Sequence, residues 1–270
     1  MLDDVGRYNR ERWEELAQAR VLFSRPLLEL DSDSARVFVD PEGVMGSVAE
    51  KDALCLAGGG GQQSAAFALL GARVTVFDFC DTQLARDREA AEHYRTEVRT
   101  VQGDMRDLSC FEDDSFDVIW HAHSLTFVPD IRRVFSEAAR VIRRDGMYRL
   151  SFTNPFTQGT WNSKWDGKGY PIWLPYVEGV EIVDDDPYWD IEDGPEGPRR
   201  VRGPREFRHT LSAIVNTLVG LGFVILGIWE EDDGDPNAEP GSWPHFKAIA
   251  APWLSLWAIF RPEAFRGVLE

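Results

Sequence analysis

A chain of 270 residues, 43% hydrophobic and 12% aromatic, can bury a large core, so one enzyme-sized domain with decorations is the simplest organisation. Its formal net charge of −17 repels the phosphates of DNA, RNA and anionic membranes, which excludes them as the main partner unless a local basic patch intervenes. Cys55, Cys80 and Cys110 lack paired spacing, no apolar run reaches the length of a membrane span, and Met1-Leu2-Asp3-Asp4 lacks a signal-peptide layout; a reduced, soluble, cytoplasmic protein without a zinc site is expected.

In chain order, Tyr8 to Arg20 places Trp13 and Leu16 at helical spacing, and Val21-Leu22-Phe23-Ser24-Arg25-Pro26 breaks that helix. Asp52 to Ala57 is a short apolar run after a charged turn, the pattern of a strand covered on both faces. It leads straight into Gly58-Gly59-Gly60-Gly61. Gln62 to Leu70 then reads as a helix stopped by Gly71, and Arg73 to Phe77 as a second strand ending in Asp78. Glycines let backbone pass against a nucleotide-sized ligand, and an acid at the next strand tip accepts hydrogen bonds from ribose hydroxyls. Tight strand-to-helix turns also use glycine for steric reasons alone.

A helix is expected over Thr82 to Tyr94, a third strand over Glu97 to Gln102, then Gly103-Asp104-Met105-Arg106-Asp107. Ser115 to His121 reads as a fourth strand. Asp130 caps a helix whose apolar residues Ile131, Val134, Phe135, Ala138, Val141 and Ile142 recur at three and four. Arg143 to Gly146 ends it, and Met147 to Thr153 supplies a fifth strand.

With these residues in place, the chain resembles the class I S-adenosylmethionine-dependent methyltransferases, and within them the bacterial methyltransferase type 11 group. The resemblance covers roughly Asp52 to Asn154. It is carried by the Leu56-Ala57-Gly58-Gly59-Gly60-Gly61 loop, Asp78, Gly103-Asp104-Met105, and the strand Phe116 to Trp120 leading into Phe127-Val128-Pro129-Asp130. It implies a Rossmann-like α/β fold whose seven-stranded sheet has the order 3-2-1-4-5-7-6, with the last strand antiparallel. S-adenosylmethionine is the implied cofactor, held by Ala57, Gly58, Gly59, Gly61 and Gly103. Gly59 and Gly61 would face its methionine part, Asp78 the ribose hydroxyls, and Phe79 the adenine. Asp104 would take the adenine amino group, the Met105 backbone a ring nitrogen, and His121 would border the methionyl moiety. Two positions depart from the pattern: Cys55 stands where many members carry an acid, and Ala57 where the first glycine is usual.

The boundaries implied are a helical lid or extension over 1–50, a cofactor-binding core over 51–154, a substrate-cap insertion over 155–206, and the rest of the sheet over 207–270. Related enzymes often fold such a leader over the cleft, which makes Tyr8, Phe23 and Arg25 substrate-site candidates; the leader otherwise covers a sheet edge. Asn154 opens the insertion, which carries Trp161, Trp165, Tyr170, Trp173, Tyr176, Tyr188 and Trp189 beside Asp184-Asp185-Asp186 and Asp190. An aromatic cap beyond the strand ends would exclude water and hold an apolar acceptor, or an amine through cation–π attraction. These rings equally suit a small core of the cap or a dimer contact. Arg199, Arg200, Arg202, Arg205 and Arg208 form the one basic cluster, read as pairing with the acidic run before it.

A helix over Leu211 to Val219, a sixth strand over Phe223 to Trp229, a polar loop from Glu230 to Gly241 and a last strand around Trp253 to Phe260 complete the sheet. The expected reaction is methyl transfer to an oxygen, nitrogen or sulfur of a small molecule, by a monomer or small homo-oligomer. His123 is the candidate base, and no nucleophile triad or metal-ligand spacing stands out. Two other classes remain open. Gly59 to Ser64 approaches a nicotinamide dinucleotide fingerprint, with Ser64 in place of its third glycine. Cys55 and Ala57 leave room for a non-catalytic relative that binds a nucleoside.

Overall fold

The computed structural model describes residues 2–183, 186–191, 197–230 and 233–264; Asp184 and Asp185 of the acidic run lie outside them. The chain opens with helix α1 (Asp4–Gln18), where Asp3 caps the N-terminus by accepting the Gly6 amide. Helix α2 (Ser32–Val39) follows, closed at its start by a capping box between Asp31 and Ser34. Sequence periodicity did not reveal this helix, which is only eight residues long.

Strand β1 (Asp52–Leu56) enters the glycine loop, and helix α3 (Gln63–Leu69) leaves it. Then come β2 (Arg73–Asp78), helix α4 (Asp81–Tyr94), β3 (Val98–Gln102), β4 (Phe116–His121), helix α5 (Ile131–Val141) and β5 (Ile142–Thr153). The insertion carries two small antiparallel pairs: β6 (Glu181–Ile182) with β9 (Glu206–Phe207), and β7 (Tyr188–Ile191) with β8 (Arg199–Arg202). Helix α6 (Leu211–Gly220), β10 (Phe223–Glu230), helix α7 (Trp243–Ala250) and β11 (Trp253–Phe260) close the described chain. Helix α7, capped by Ser242 with Pro244 in its first turn, follows the expected Glu230 to Gly241 loop in a stretch for which no element was expected.

The seven main strands hydrogen-bond in the order β10-β11-β5-β4-β1-β2-β3, the expected order. Strands β3, β2, β1, β4 and β5 run parallel, and β11 is antiparallel to both β5 and β10. Burial on both faces explains the unbroken apolar run of β1, in which Leu54, Cys55 and Leu56 are fully buried. On one face α5 packs Val134, Phe135 and Ala138 against Leu54, Leu56, Ile119 and Leu150. On the other, Ala66 and Phe67 of α3 meet Ala53, Cys55, Val118 and Trp120. Truncating a buried ring such as Phe135 would cost about 3–5 kcal/mol.

One boundary differs from expectation. Strand β5 starts at Ile142, directly after α5, and its register with β4 shifts between Phe116 and Val118. Arg143 holds that irregularity by donating to Asp52 and Asp117 at 2.8 and 2.7 Å, while Asp145 adopts a left-handed φ of 60°.

The basic cluster of the insertion is divided among structural roles. Arg200 pairs with Asp186 and Asp190, and Arg205 with Glu181. Arg208 is buried and donates to the carbonyls of Leu174, Pro175 and Gln158. Among the described residues no helix is long and apolar enough to cross a membrane.

Candidate active site

One continuous cavity of about 1000 Å³ lies beyond the carboxyl ends of β1, β2 and β4 and extends over the sheet face toward β10. Ala57, Gly58 and Gly59 form part of its wall. A side chain at Gly59 would place its Cβ 2.7 Å from Gln83 Cβ and 3.1 Å from Asp78 Oδ2, so only glycine fits there. Ala57 has a left-handed φ of 46°, which costs a side-chain-bearing residue about 1–2 kcal/mol. A glycine would adopt that conformation without the cost.

Asp78, at the tip of β2, is 7% exposed and faces the cavity. Its carboxylate accepts the Cys80 amide at 2.9 Å and the Gly59 amide at 3.1 Å. Burial pushes its pKa up to about 6, partly opposed by these amides. Phe79, Gly103, Asp104 and Met105 line the same end. Gly103 is demanded by the Phe77 ring, which a Cβ would meet at 2.2 Å. Asp104 accepts from the Arg106 backbone at 2.9 Å and from its guanidinium at 2.6 and 3.0 Å. The same guanidinium reaches Asp3 at 2.7 and 3.0 Å, which holds the Asp3 carboxyl down at about 2. Arg106 thus joins the start of α1 to Asp104.

At the other end His123, half-buried, bonds through Nε2 to Thr153 Oγ1 at 3.1 Å and meets the Trp253 ring edge-on. Burial pulls its pKa down to about 4, leaving a neutral imidazole in the cavity wall. Beyond it the cavity runs over the sheet face, between Trp120, Arg149, Ser151, Ser255 and Trp229. The Arg149 guanidinium stacks 4.2 Å from the Trp120 ring centroid.

Several sequence candidates stand elsewhere. His121 is fully buried beneath the wall, bonded to Tyr148 Oη at 2.6 Å and Ser124 Oγ at 2.9 Å. It does not line the cavity, because the side chains of a strand alternate and this one points into the α5 layer. Gly61 is also outside the lining. Its Cβ would collide with the Arg86 carbonyl at 2.5 Å, so this glycine serves helix packing. Asn154 donates to the Ala251 carbonyl at 2.9 Å, and Arg25 to the Arg20 carbonyl at 2.7 Å. Tyr8 lies under the Arg12 guanidinium. None of these three is in the wall, whereas Phe23 is. Of the insertion's rings named above, Trp161 and Trp189 line the cavity.

Sequence reasoning missed two contributors. Asn9 of α1 is 1% exposed, lines the cavity, donates to the carbonyls of Phe127 and Arg205 at 2.9 and 3.1 Å, and accepts the Arg205 amide at 2.7 Å. Trp13, one helical turn on, meets Phe23, Phe127 and Trp189 edge-to-face at 5.2–5.9 Å and roofs the site. The second is Asp87, fully buried on α4 behind the glycine loop. It accepts the amides of Gly60 and Gly61 at 3.1 and 3.0 Å and the Ser64 hydroxyl at 2.5 Å. Burial pushes Asp87 up to about 7, and its charge adds to the burial that raises the Cys55 thiol. The loop therefore draws its acid from α4, while β1 contributes the inert Cys55.

Residues 54–150 match the family model described as a methyltransferase domain. Over 185 residues the chain is 35% identical to the uncharacterized methyltransferase YbaJ of Bacillus subtilis, covering 67% of this chain and 69% of that protein. A solved S-adenosylmethionine-dependent methyltransferase from Mesorhizobium loti superposes with a TM-score of 0.62 at 20% identity, over 84% of this chain and 99% of that one. Geranyl diphosphate C-methyltransferase from Streptomyces coelicolor, solved with geranyl diphosphate and S-adenosyl-L-homocysteine, superposes at 0.54 with 16% identity, over 84% of this chain and 78% of that one. The glycine-walled cleft, its buried strand-tip acid and these matches together place the chain among the class I S-adenosylmethionine-dependent methyltransferases.

Proposed function

We propose that this methyltransferase acts on a small-molecule acceptor held at the tryptophan-rich end of its cavity. The observation that carries the reading is the continuity of that one cavity from the glycine loop to the rings over β4, β5 and β11. Such a space suits a nucleoside-sized donor and a compact acceptor side by side. The Streptomyces enzyme fits this scale, since it was solved with geranyl diphosphate bound.

The residues present suit the cofactor: Gly59 admits backbone contact where a Cβ would not fit, and Asp78 presents a carboxylate to the cavity. In this reading Gly58 and Gly59 meet the methionyl part and Asp78 takes the ribose hydroxyls. Phe79 and the Met105 backbone border the adenine. Asp104, held by Arg106, receives the adenine amino group. When bound, the sulfonium supplies an already activated methyl group, so the protein's main task is alignment and exclusion of water. Trp13, Phe23 and Trp189 close over the cleft and exclude water. His123, neutral above about pH 4, accepts a hydrogen bond from the acceptor and aligns its lone pair; with so low a basicity it retains a proton only briefly.

Of the alternatives open in sequence, the nicotinamide reading leaves Gly103-Asp104 without a role and has no support in the family match. Calorimetric titration with S-adenosylhomocysteine and NADH, repeated on Asp78→Ala, tests the assignment. Binding of the first, lost in the variant, supports it and justifies a panel of phenols, amines and thiols. Absence of that binding sinks it, as would a methylated macromolecule in place of any small acceptor.

A further inference from the structure

The cavity continues past His123 into an arm whose floor is the open face of the sheet. In-register pairing of β4, β5, β11 and β10 sets Trp120 beside Arg149 and, in the next row, Ser151 beside Ser255 and Trp229. Glu42, from the segment after α2, closes the arm from above. Its two carboxylate oxygens accept from Ser255 Oγ and Trp257 Nε1, each at 3.0 Å. Both donors are neutral, and among the described residues no basic side chain pairs with Glu42. Arg149 lies against Trp120 and, in register, beside Trp257, in the same wall as Glu42.

A carboxylate held this way has a second lone pair on each oxygen available to a ligand. Glu42 and Glu230 stand in this wall with Trp120, Trp229 and Trp253 against the guanidinium of Arg149, so the arm favours cations, because indole faces are negative and a carboxylate gains from a counter-charge. We propose, building on the small-molecule reading above, that this arm binds an ammonium group of the acceptor, with Glu42 as the specificity-determining residue.

The ammonium is a handle and not the methylated atom. Ser255 pairs with Ser151, two residues before Thr153, the partner of His123. At the rise of an extended strand, Glu42 therefore engages the floor roughly 7 Å below the row of His123. The acceptor class is accordingly a compact amine whose nucleophilic atom lies several bonds from its positive nitrogen. Anchoring that remote charge fixes the reacting end in the transfer position.

The test uses three probes of one shape, phenethylamine, 2-phenylethanol and phenylacetate, titrated into the protein saturated with S-adenosylhomocysteine. The amine should bind about tenfold tighter than the alcohol, and the carboxylate weakest. Glu42→Gln should level amine and alcohol while leaving S-adenosylhomocysteine affinity unchanged. Equal binding of the three, preference for phenylacetate, no measurable amine binding, or an amine preference that survives in Glu42→Gln would each overturn the proposal. Because cofactor affinity is read first, these outcomes stand apart from a failure of the methyl-transfer reading.

Discussion

Asp78 Oδ2 accepts the amide hydrogen of Gly59 at 3.1 Å, so the acid at the tip of β2 and the turn after β1 form one rigid unit. Gly59→Ala would push a methyl group against Asp78 and Gln83, at 3.1 and 2.7 Å. It should weaken S-adenosylhomocysteine binding at least about tenfold and lower stability by about 1–3 kcal/mol. Ala57→Gly, two residues earlier at a left-handed φ, should leave affinity intact. Calorimetry and thermal melts on the pair check this.

Asp87 gives the glycine loop a pH dependence. Its folded pKa, about 7 against the ordinary 3.8, means that the native state binds the extra proton. The stability this group contributes is full below pH 3.8 and is lost as pH rises through about 7. Asp78, raised to about 6, acts in the same sense. Asp87→Asn should flatten the fall between pH 4.5 and 8 in urea titrations, by up to about 4 kcal/mol.

Arg106 bridges Asp3 and Asp104. Arg106→Ala should release the start of α1, seen as faster amide hydrogen exchange over Asp4–Gln18 with little change in the exchange of β1 and β4. Because Asp3 is half exposed, its own removal should cost less than about 1 kcal/mol.

His123 is neutral above about pH 4. The pH profile of kcat/KM should therefore show no histidine inflection between pH 5.5 and 8. His123→Gln should slow turnover by about tenfold, the scale of lost alignment and well below the 10²–10⁴ of a true acid–base residue.

The sheet order came from the family resemblance; the central strands and the glycine turn were legible because they rest on local signals: unbroken apolar runs, helical spacing in α5, and acids at or just past the ends of β2 and β3. Helices α2 and α7 were not, since eight residues carry barely two turns of periodicity; their remaining signs were the caps Asp31 and Ser242. Asp78 and Asp104 were readable as strand-tip acids. Asp87 was not, because an acid in the charged sequence of α4 looks solvated, and only the docking of that helix behind the loop buries it. The two histidines show the same limit. His121 and His123 differ in sequence by two positions, but one lies under the floor and the other in the wall. Glu42 gave no local sign, as its partners Ser255 and Trp257 are more than two hundred residues away.

Asn9 ties together backbone at Phe127 and Arg205, and the cap of the same helix rests on Arg106. These partners are all remote in sequence, so the loop-closure entropy of docking α1 is recovered only once the central strands and the insertion are already in place. The roof over the cavity is therefore anchored only through parts of the chain far from it in sequence, and an intact enclosure requires both the central strands and the insertion to be in place.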